Sequence, residues 1–134
     1  MAQAYPYEYK GKLRTKQHKC TTSMPLDKPR IWLDFNELCA SDEYSKAPIY
    51  LFSQGDIVND AYGNDVELYE GMAVSLFDED LDDQDQPDAM LADGVVIRNF
   101  LDCYPAVKWL VRLTERPTEC ADWRKYVYWM SDLQ

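Results

Sequence analysis

Carboxylates are dense in one segment of this sequence. The run from Phe77 to Asp88 reads F-D-E-D-L-D-D-Q-D-Q-P-D, which places seven acidic side chains in twelve residues. Calcium loops also use carboxylates at alternate positions, but they need a glycine at the sixth position and a bidentate glutamate at the twelfth. Counted from Asp78, these positions hold Asp83 and Ala89, so both residues that shape the cage are missing. The sequence therefore predicts no metal site and no cofactor here.

Two other interpretations of this segment stay open. Closely spaced carboxylates on a β scaffold resemble a phosphate backbone, and complementary fields speed association with a basic protein partner. The simpler alternative is a solvated turn between strands, because charge runs usually are that. Partner binding is the working hypothesis, and its candidate contacts are Asp78, Glu79, Asp80, Asp82, Asp83, Asp85 and Asp88.

The sequence offers few residues for catalysis. His18 and Cys20 are two residues apart, and such a pair can activate a thiolate, but no third group is identifiable. Asp34 and Glu37 could form an acid–base couple, although Asp34 is more typical of a turn-forming or capping residue after a strand. No phosphate-binding glycine loop or zinc-protease motif is present, and His18 is the only histidine. The pattern favours a protein that is not an enzyme.

A small carboxylate- or metal-dependent hydrolase is the second functional hypothesis. It needs two or more carboxylates that meet in a pocket and have shifted pKa values. The candidates are Asp34, Asp56, Asp60 and Asp78.

Charge is distributed unevenly along the chain, and this is more informative than the formal net charge of −10. Residues 1–30 carry seven Lys or Arg against two acids, residues 31–95 carry seventeen acids against one cation, and residues 96–134 are nearly neutral. We call residues 1–30 the basic arm and residues 31–134 the body. Such a body is repelled by nucleic acids and attracted to cationic partners, unless the basic arm folds back over it.

Aromatic residues are concentrated near the C-terminus, at Trp123, Tyr126, Tyr128 and Trp129. A strand with large aromatic residues on both faces must bury both or present one to a partner. Bases stack on such rings, so a nucleic-acid-binding β-barrel that uses these aromatics and the basic arm is the third hypothesis. The negative body disfavours nucleic acid. We therefore prefer core packing combined with a second contact surface, for another protein or for a second copy of the chain.

Length, composition and cysteine usage limit the class of protein. A chain of 134 residues with 46% hydrophobic residues fits one domain with its own core. No apolar run approaches the ~20 residues of a membrane span, and the N-terminus lacks a signal-peptide pattern. The four cysteines contain no C-x-x-C pair, so thiols are expected rather than disulfides or zinc ligands. We expect a soluble, cytoplasmic protein that makes no membrane contact.

The hydrophobic pattern predicts a mainly β fold. Short alternating or β-branched runs end at Gly, Asn and Asp turn signals, and no long amphipathic helix is visible. We predict a single β-rich domain over residues 31–134, a small antiparallel barrel or strongly bent sheet, SH3-like, with at most short helices. Residues 1–30 are predicted to be an extended arm or irregular first strand.

Local signals divide this domain further. Alternation over residues 31–35 predicts a strand with Ile31 and Leu33 on one face and Trp32 on the other. Residues 36–45 are predicted to be a loop, and residues 123–130 a final aromatic strand. The pair Asp93-Gly94 is predicted to form a turn or bulge before a β-branched run.

Three runs carry a resemblance to a known group of proteins. They are V-E-L-Y-E-G-M-A-V-S-L-F-D-E-D, D-A-M-L-A-D-G-V-V-I-R-N and A-V-K-W-L-V-R-L. They resemble small uncharacterised bacterial proteins that share a V-x-L-x-x-G-M-x-V-x-L run, an acidic linker and a V-K-W segment. The resemblance implies a soluble bacterial β-rich domain and transfers no activity or catalytic residue. Leu110 and Val111 stand where the group carries cysteines, so no thiol role is expected there.

Overall fold

The structure is a computed structural model that describes residues 5–9, 12–16 and 28–133. In the basic arm, β1 (Tyr5–Tyr9) and β2 (Lys12–Lys16) form an antiparallel two-stranded sheet. The pair His18 and Cys20 lies outside the described residues. At its C-terminal end the basic arm contacts the body, since Lys28 pairs with Asp93 and the Ser75 amide donates to the Pro29 carbonyl.

The strands that follow β2 are β3 (Arg30–Trp32), β4 (Leu38–Ser41), β5 (Pro48–Ser53), β6 (Ile57–Asn59), β7 (Asp65–Glu67), β8 (Ala73–Asp78), β9 (Met90–Arg98), β10 (Trp109–Thr114) and β11 (Val127–Trp129). Seven strands of the described chain form the main sheet, in the order β3-β8-β9-β10-β5-β4, with β11 also paired to β9. The strands β6 and β7 form a separate two-stranded sheet. The helical segments of the described residues are two short 3₁₀ helices, Trp123–Lys125 and Met130–Leu133.

The predicted mainly β class is confirmed, but no sheet among the described residues closes into a barrel. An SH3-like arrangement is therefore not confirmed, and the sheet is not wholly antiparallel, since β3 runs parallel to β8. The outer edge of β3 has another partner. Ile31 forms a bridge with Asp60, and the Ala61 amide donates to the Arg30 carbonyl at 2.8 Å. These contacts use backbone hydrogen-bonding groups of β3. The same groups would have to pair with a further strand if the sheet closed into a barrel.

The main sheet must curve strongly, because its two edge strands are joined by a short linker. Six strands side by side would separate β3 from β4 by about 24 Å in a flat sheet. Residues 33–37, which join these strands, would reach about 20 Å if fully extended. They also contain a turn, in which the Glu37 amide donates to the Asp34 carbonyl at 3.0 Å. The two edges therefore approach each other at this end of the sheet.

The main core lies on one face of the curved sheet. Val74 and Leu76 on β8, Val96 on β9 and Val111 on β10 are fully buried there and pack as one cluster. The β6–β7 hairpin contributes Val58 and Val66 to the same cluster. A second, smaller cluster contains Ala61, Phe77, Ala89 and Leu91. Residues 77 and 91 alternate with core positions along their strands, so this cluster covers the opposite face. Both faces of the strands β8 and β9 are therefore buried.

Three local predictions are corrected by pairing between distant residues. Residues 36–45 are not wholly a loop, because Leu38–Ser41 forms β4 against β5. The Asp93-Gly94 pair is neither a turn nor a bulge, since both residues lie inside β9 and pair in continuous register with β8 and β10. The predicted final strand is reduced to Val127–Trp129, flanked by the two 3₁₀ helices. The strand predicted over residues 31–35 is shortened to Arg30–Trp32, but Ile31 and Leu33 are buried and Trp32 is 40% exposed, so the predicted alternation of these three side chains is confirmed.

Candidate functional site

The acidic segment forms an ordered hairpin, which we define as residues 80–88 and call the acidic hairpin. Leu81 and Pro87 form an antiparallel bridge across it. The Asp82 carboxylate accepts hydrogen bonds from the amides of Gln84 at 2.8 Å and Gln86 at 2.9 Å. Asp85 has a φ of 59°, a left-handed conformation that Asp and Asn tolerate better than most residues. The Asp82 side chain therefore stabilises the turn, because it accepts hydrogen bonds that a backbone carbonyl accepts in other turns.

The C-terminal side of the acidic hairpin is tied to the end of the chain. The Asp88 carboxylate accepts from the Ser131 amide at 2.9 Å and from the Ser131 hydroxyl at 2.8 Å. Asp83 and Asp85, at the tip, are exposed, and in the described part of the chain their side chains form no hydrogen bond or ion pair. Of the seven predicted contacts, Asp82 and Asp88 therefore hold the acidic hairpin in place, whereas Asp83 and Asp85 face solvent.

Asp78, at the end of β8, belongs to a different environment. It is half-buried and accepts a hydrogen bond from the Trp32 indole Nε1–H at 3.1 Å. Burial is the main reason why the pKa of this carboxyl is raised to about 6, and the negative charges of Asp34 and Asp80 contribute in the same direction. The hydrogen bonds from Trp32 and from the Phe35 amide act in the opposite direction. The structure thus places Asp78 beside Trp32 and not at the tip of the acidic hairpin.

Asp78→Asn is expected to stabilise the protein at about pH 8 and to change stability little at about pH 4. The folded pKa of about 6 exceeds the ordinary carboxyl pKa of 3.8, so the stability contributed by the protonated carboxyl is present below pH 3.8 and is lost as pH rises through 6. Asparagine carries no charge and keeps an acceptor for Trp32. Because Asp78 is partly exposed, solvent screening reduces the expected gain to about 1–2 kcal/mol.

Urea unfolding at the two pH values measures this difference. Asp83→Asn is the control, because it removes the same charge from an exposed site. An equal effect of Asp78→Asn at both pH values would contradict the raised pKa.

A cleft of about 340 Å³ opens where the two edges of the main sheet approach each other. One wall comes from β3 and the linker after it, and the other from the end of β5. We call it the seam cleft, and it is lined by Trp32, Leu33, Asp34, Glu37, Leu51, Phe52, Ser53, Gln54 and Val107. This lining combines two aromatic rings with two carboxylates. No sequence pattern predicts this cleft, although the outward position of Trp32 two residues before Asp34 is a usable signal.

Asp34 shapes one end of the seam cleft. Its Oδ1 accepts a hydrogen bond from the Asn36 amide at 2.9 Å, and its carbonyl accepts from the Glu37 amide at 3.0 Å. The prediction that Asp34 forms a turn after the strand is therefore confirmed. Glu37 is exposed, and its side chain makes no hydrogen bond or ion pair within the described residues.

The four carboxylates considered for hydrolysis do not meet in one pocket. Asp56 pairs with Lys108 at 2.7 Å, and hydrogen bonds from Lys108 and from the Trp109 indole lower its pKa. Asp60 is buried, and its carboxylate accepts from the amides of Tyr62 and Asn64 in the β6–β7 turn. Both residues therefore support local structure. Only Asp34 and Asp78 are close enough for the charge of one to raise the pKa of the other.

The four C-terminal aromatic residues do not form one surface. Tyr126 is buried in the main core, whereas Tyr128 packs against the second cluster and lies under the Arg116 guanidinium at 4.7 Å. Trp129 is half-buried, and Trp123 is 55% exposed. Because the four rings face different sides, they provide no continuous platform for stacked bases.

Three of the four cysteines, Cys39, Cys103 and Cys120, lie in the described residues, and all three are free thiols. Cys39 donates a hydrogen bond to the Ile49 carbonyl at 3.3 Å. Burial is the largest cause that raises the pKa of the Cys39 thiol, and the nearby Cys103 is the second. The raised pKa lowers the thiolate fraction of Cys39 at neutral pH. No group of three or more His, Cys, Asp or Glu with metal-binding geometry occurs in residues 28–133 or the described strands before them.

No protein-family model matches the chain, and neither a curated protein nor a solved structure shows significant similarity to it. Among the described residues, no helix combines the length and apolar character needed to cross a bilayer.

Proposed function

We propose that this protein is a non-enzymatic, cytoplasmic interaction module whose acidic surface binds a basic protein partner. An immunity or inhibitor protein that neutralises a cationic target is one concrete form. The observation that carries the proposal is the acidic hairpin, whose internal hydrogen bonds hold the Asp83 and Asp85 carboxylates outward. Fixed charges of this kind attract a complementary surface without a cost for ordering the loop.

The surrounding charge strengthens this field. Between residues 31 and 95 there are seventeen acids, and Lys46 is the one cation. The ion pairs of the described residues that use nearby acids, such as Lys28 with Asp93 and Lys108 with Asp56, do not involve the tip of the acidic hairpin. No ion pair of the described residues therefore cancels the negative field at the tip, which should act over about one Debye length, roughly 8–10 Å at moderate salt.

The double variant Asp83→Asn/Asp85→Asn should weaken capture of the basic partner. The wild-type protein and the variant are immobilised and exposed to a cell extract at low salt, and bound proteins are identified by mass spectrometry. We expect recovery of a basic protein to fall about 10-fold, because two charges at the contact are lost. Asparagine at position 85 tolerates the left-handed backbone, so the turn should be kept.

The matched control is Asp65→Asn/Glu67→Gln, which removes two exposed charges from β7. Equal losses in both variants would show attraction to net charge alone and would contradict a specific acidic hairpin contact. Failure to recover any basic protein would overturn the proposed function. A higher salt concentration should weaken the wild-type interaction, as expected for exposed charges.

A carboxylate-dependent hydrolase is the second candidate, and the raised pKa of Asp78 beside Asp34 favours it. A carboxyl with a pKa near 6 can act as a general acid near neutral pH. However, the Trp32 indole donates a hydrogen bond to one Asp78 oxygen, and the Asn36 amide donates one to Asp34. Both carboxylates therefore already have structural roles. Hydrolysis of ester or phosphoester substrates that disappears in Asp78→Asn would favour this candidate over the interaction module.

A further inference from the structure

The seam cleft is held open by a fixed aromatic wall. The Trp32 ring is 40% exposed, and its Nε1–H is held by Asp78 at 3.1 Å. The strand that carries it is paired along its backbone to β8. A ring constrained at both its backbone and its indole nitrogen presents one face to the cleft without losing much freedom on binding.

The charge of the seam cleft is negative and has no internal counter-charge. Asp34 uses Oδ1 for the Asn36 amide, which leaves Oδ2 without a hydrogen bond among the described residues. Glu37 is exposed on the same lining, which contains no Lys or Arg. The closest basic residue in sequence, Lys108 after Val107, is engaged by Asp56 at 2.7 Å. A ligand that fills the cleft therefore meets two carboxylates available for pairing.

The size of the seam cleft limits its occupant. A volume of about 340 Å³ is at the small end of ligand pockets and suits one long side chain rather than a folded element. An arginine side chain matches the lining, because its planar guanidinium stacks on aromatic rings and pairs with carboxylates in a fork geometry. A lysine ammonium lacks the planar face, and an apolar side chain would leave the two carboxylates desolvated.

We propose that the seam cleft is the specificity pocket of this interaction module and takes one arginine side chain of the basic partner. The guanidinium stacks on Trp32 and pairs with Asp34 and Glu37. This inference rests on the proposed function and deepens it. Trp32 contacts Asp78, which lies two residues before the acidic hairpin, so the pocket adjoins the same negative surface.

Short capped peptides test the pocket directly. Three peptides of neutral sequence carry a single arginine, lysine or citrulline, and binding is followed by NMR through the Trp32 indole N–H resonance. We expect the arginine peptide to shift this resonance and to bind about 5-fold or more tightly than the lysine peptide, because of stacking and bidentate pairing. Citrulline keeps the shape without the charge and should produce little shift. Equal shifts with citrulline and arginine would overturn the inference.

Two conservative variants locate the contact. Glu37→Gln and Asp34→Asn each remove one charge, and asparagine at position 34 still accepts the Asn36 amide. Each variant should bind the arginine peptide about 3–10-fold more weakly, as expected for loss of a charge-assisted hydrogen bond. Glu67→Gln, an exposed charge on β7, is the matched control and should leave binding unchanged. If the control weakened binding of the arginine peptide as much as Glu37→Gln does, this would contradict binding in the seam cleft.

The outcomes separate this inference from the proposed function. If capture of the basic partner depends on Asp83 and Asp85 but not on Asp34 and Glu37, the pocket fails while the proposed function stands. If the arginine peptide binds the seam cleft but no basic protein is captured, the proposed function fails while arginine recognition stands. Loss of partner capture in both sets of variants supports both proposals.

Discussion

Gly94→Val is expected to prevent stable folding of the protein, and Gly94→Ala to destabilise it by about 1–3 kcal/mol. Gly94 lies at the middle of β9, between β8 and β10. A Cβ at this position would lie 2.8 Å from Val111 Cγ2, 3.0 Å from the Arg112 carbonyl oxygen and 3.2 Å from Leu76 Cδ1. Because one of these neighbours is backbone in a paired strand, the structure cannot adjust by a side-chain rotation alone. Valine adds two methyl groups to the same crowded space.

Urea unfolding of Gly94→Ala measures the cost, and solubility with circular dichroism assesses Gly94→Val. Gly55→Ala is the matched control, since nothing lies within 4 Å of its added Cβ and its position is exposed. The control should change stability by less than about 0.5 kcal/mol. A Gly94→Ala protein as stable as the wild type would contradict the close approach of β9 and β10 at this point.

Trp109→Ala is expected to cost about 3–5 kcal/mol of unfolding free energy, the range for a large buried aromatic side chain. Trp109 is 3% exposed and packs in the main core at the start of β10. Its indole Nε1–H donates to Asp56 at 2.9 Å, and the Arg98 guanidinium lies 5.0 Å from its ring centroid. Truncation removes all of these contacts and leaves a cavity in the main core.

Trp109→Phe keeps a six-membered aromatic ring in the core and removes the indole donor together with part of the ring volume. We expect a smaller loss than for alanine. Trp123→Ala, at a ring that is 55% exposed, should change stability by less than about 0.5 kcal/mol and is the control for aromatic loss as such. A cost below about 1 kcal/mol for Trp109→Ala would contradict its role as a core residue.

The two proposed contact regions are expected to act on different steps of binding. Exposed charges such as Asp83 and Asp85 act mainly on the association rate, which depends strongly on salt. A desolvated pair in the seam cleft acts mainly on the dissociation rate. In kinetic measurements with the captured partner, the association rate should depend on salt and should be lower for the acidic hairpin variants. The dissociation rate should be higher for Glu37→Gln.

Local sequence signals predicted those features of the fold that depend on neighbouring residues. Alternation placed Ile31 and Leu33 inward and Trp32 outward, since successive side chains of a strand point to opposite faces. Asp34 was expected to form a turn, because an aspartate side chain readily accepts a hydrogen bond from the amide two residues later. The mainly β class followed from many short runs of this kind. These features needed no knowledge of which strands pair.

Other features depended on contacts between residues far apart in the chain. Gly94 looked like a turn residue but lies inside a strand, where the close approach of Val111 and Leu76 leaves no room for a side chain. Leu38–Ser41 has a weak strand pattern and becomes β4 because β5 supplies partners for its backbone. The parallel pairing of β3 with β8 likewise has no local signal.

The sequence by itself determined the charge of this protein, its β class and the direction of individual side chains, because composition and strand periodicity are local properties. The tertiary structure decided which charges remain outward and where a cleft opens. Trp32 forms a hydrogen bond with Asp78, 46 positions away in the sequence, and Ser131 forms one with Asp88, 43 positions away. Such contacts follow from the order and curvature of the strands, which result from packing of the whole core. The candidate site therefore became visible only in three dimensions.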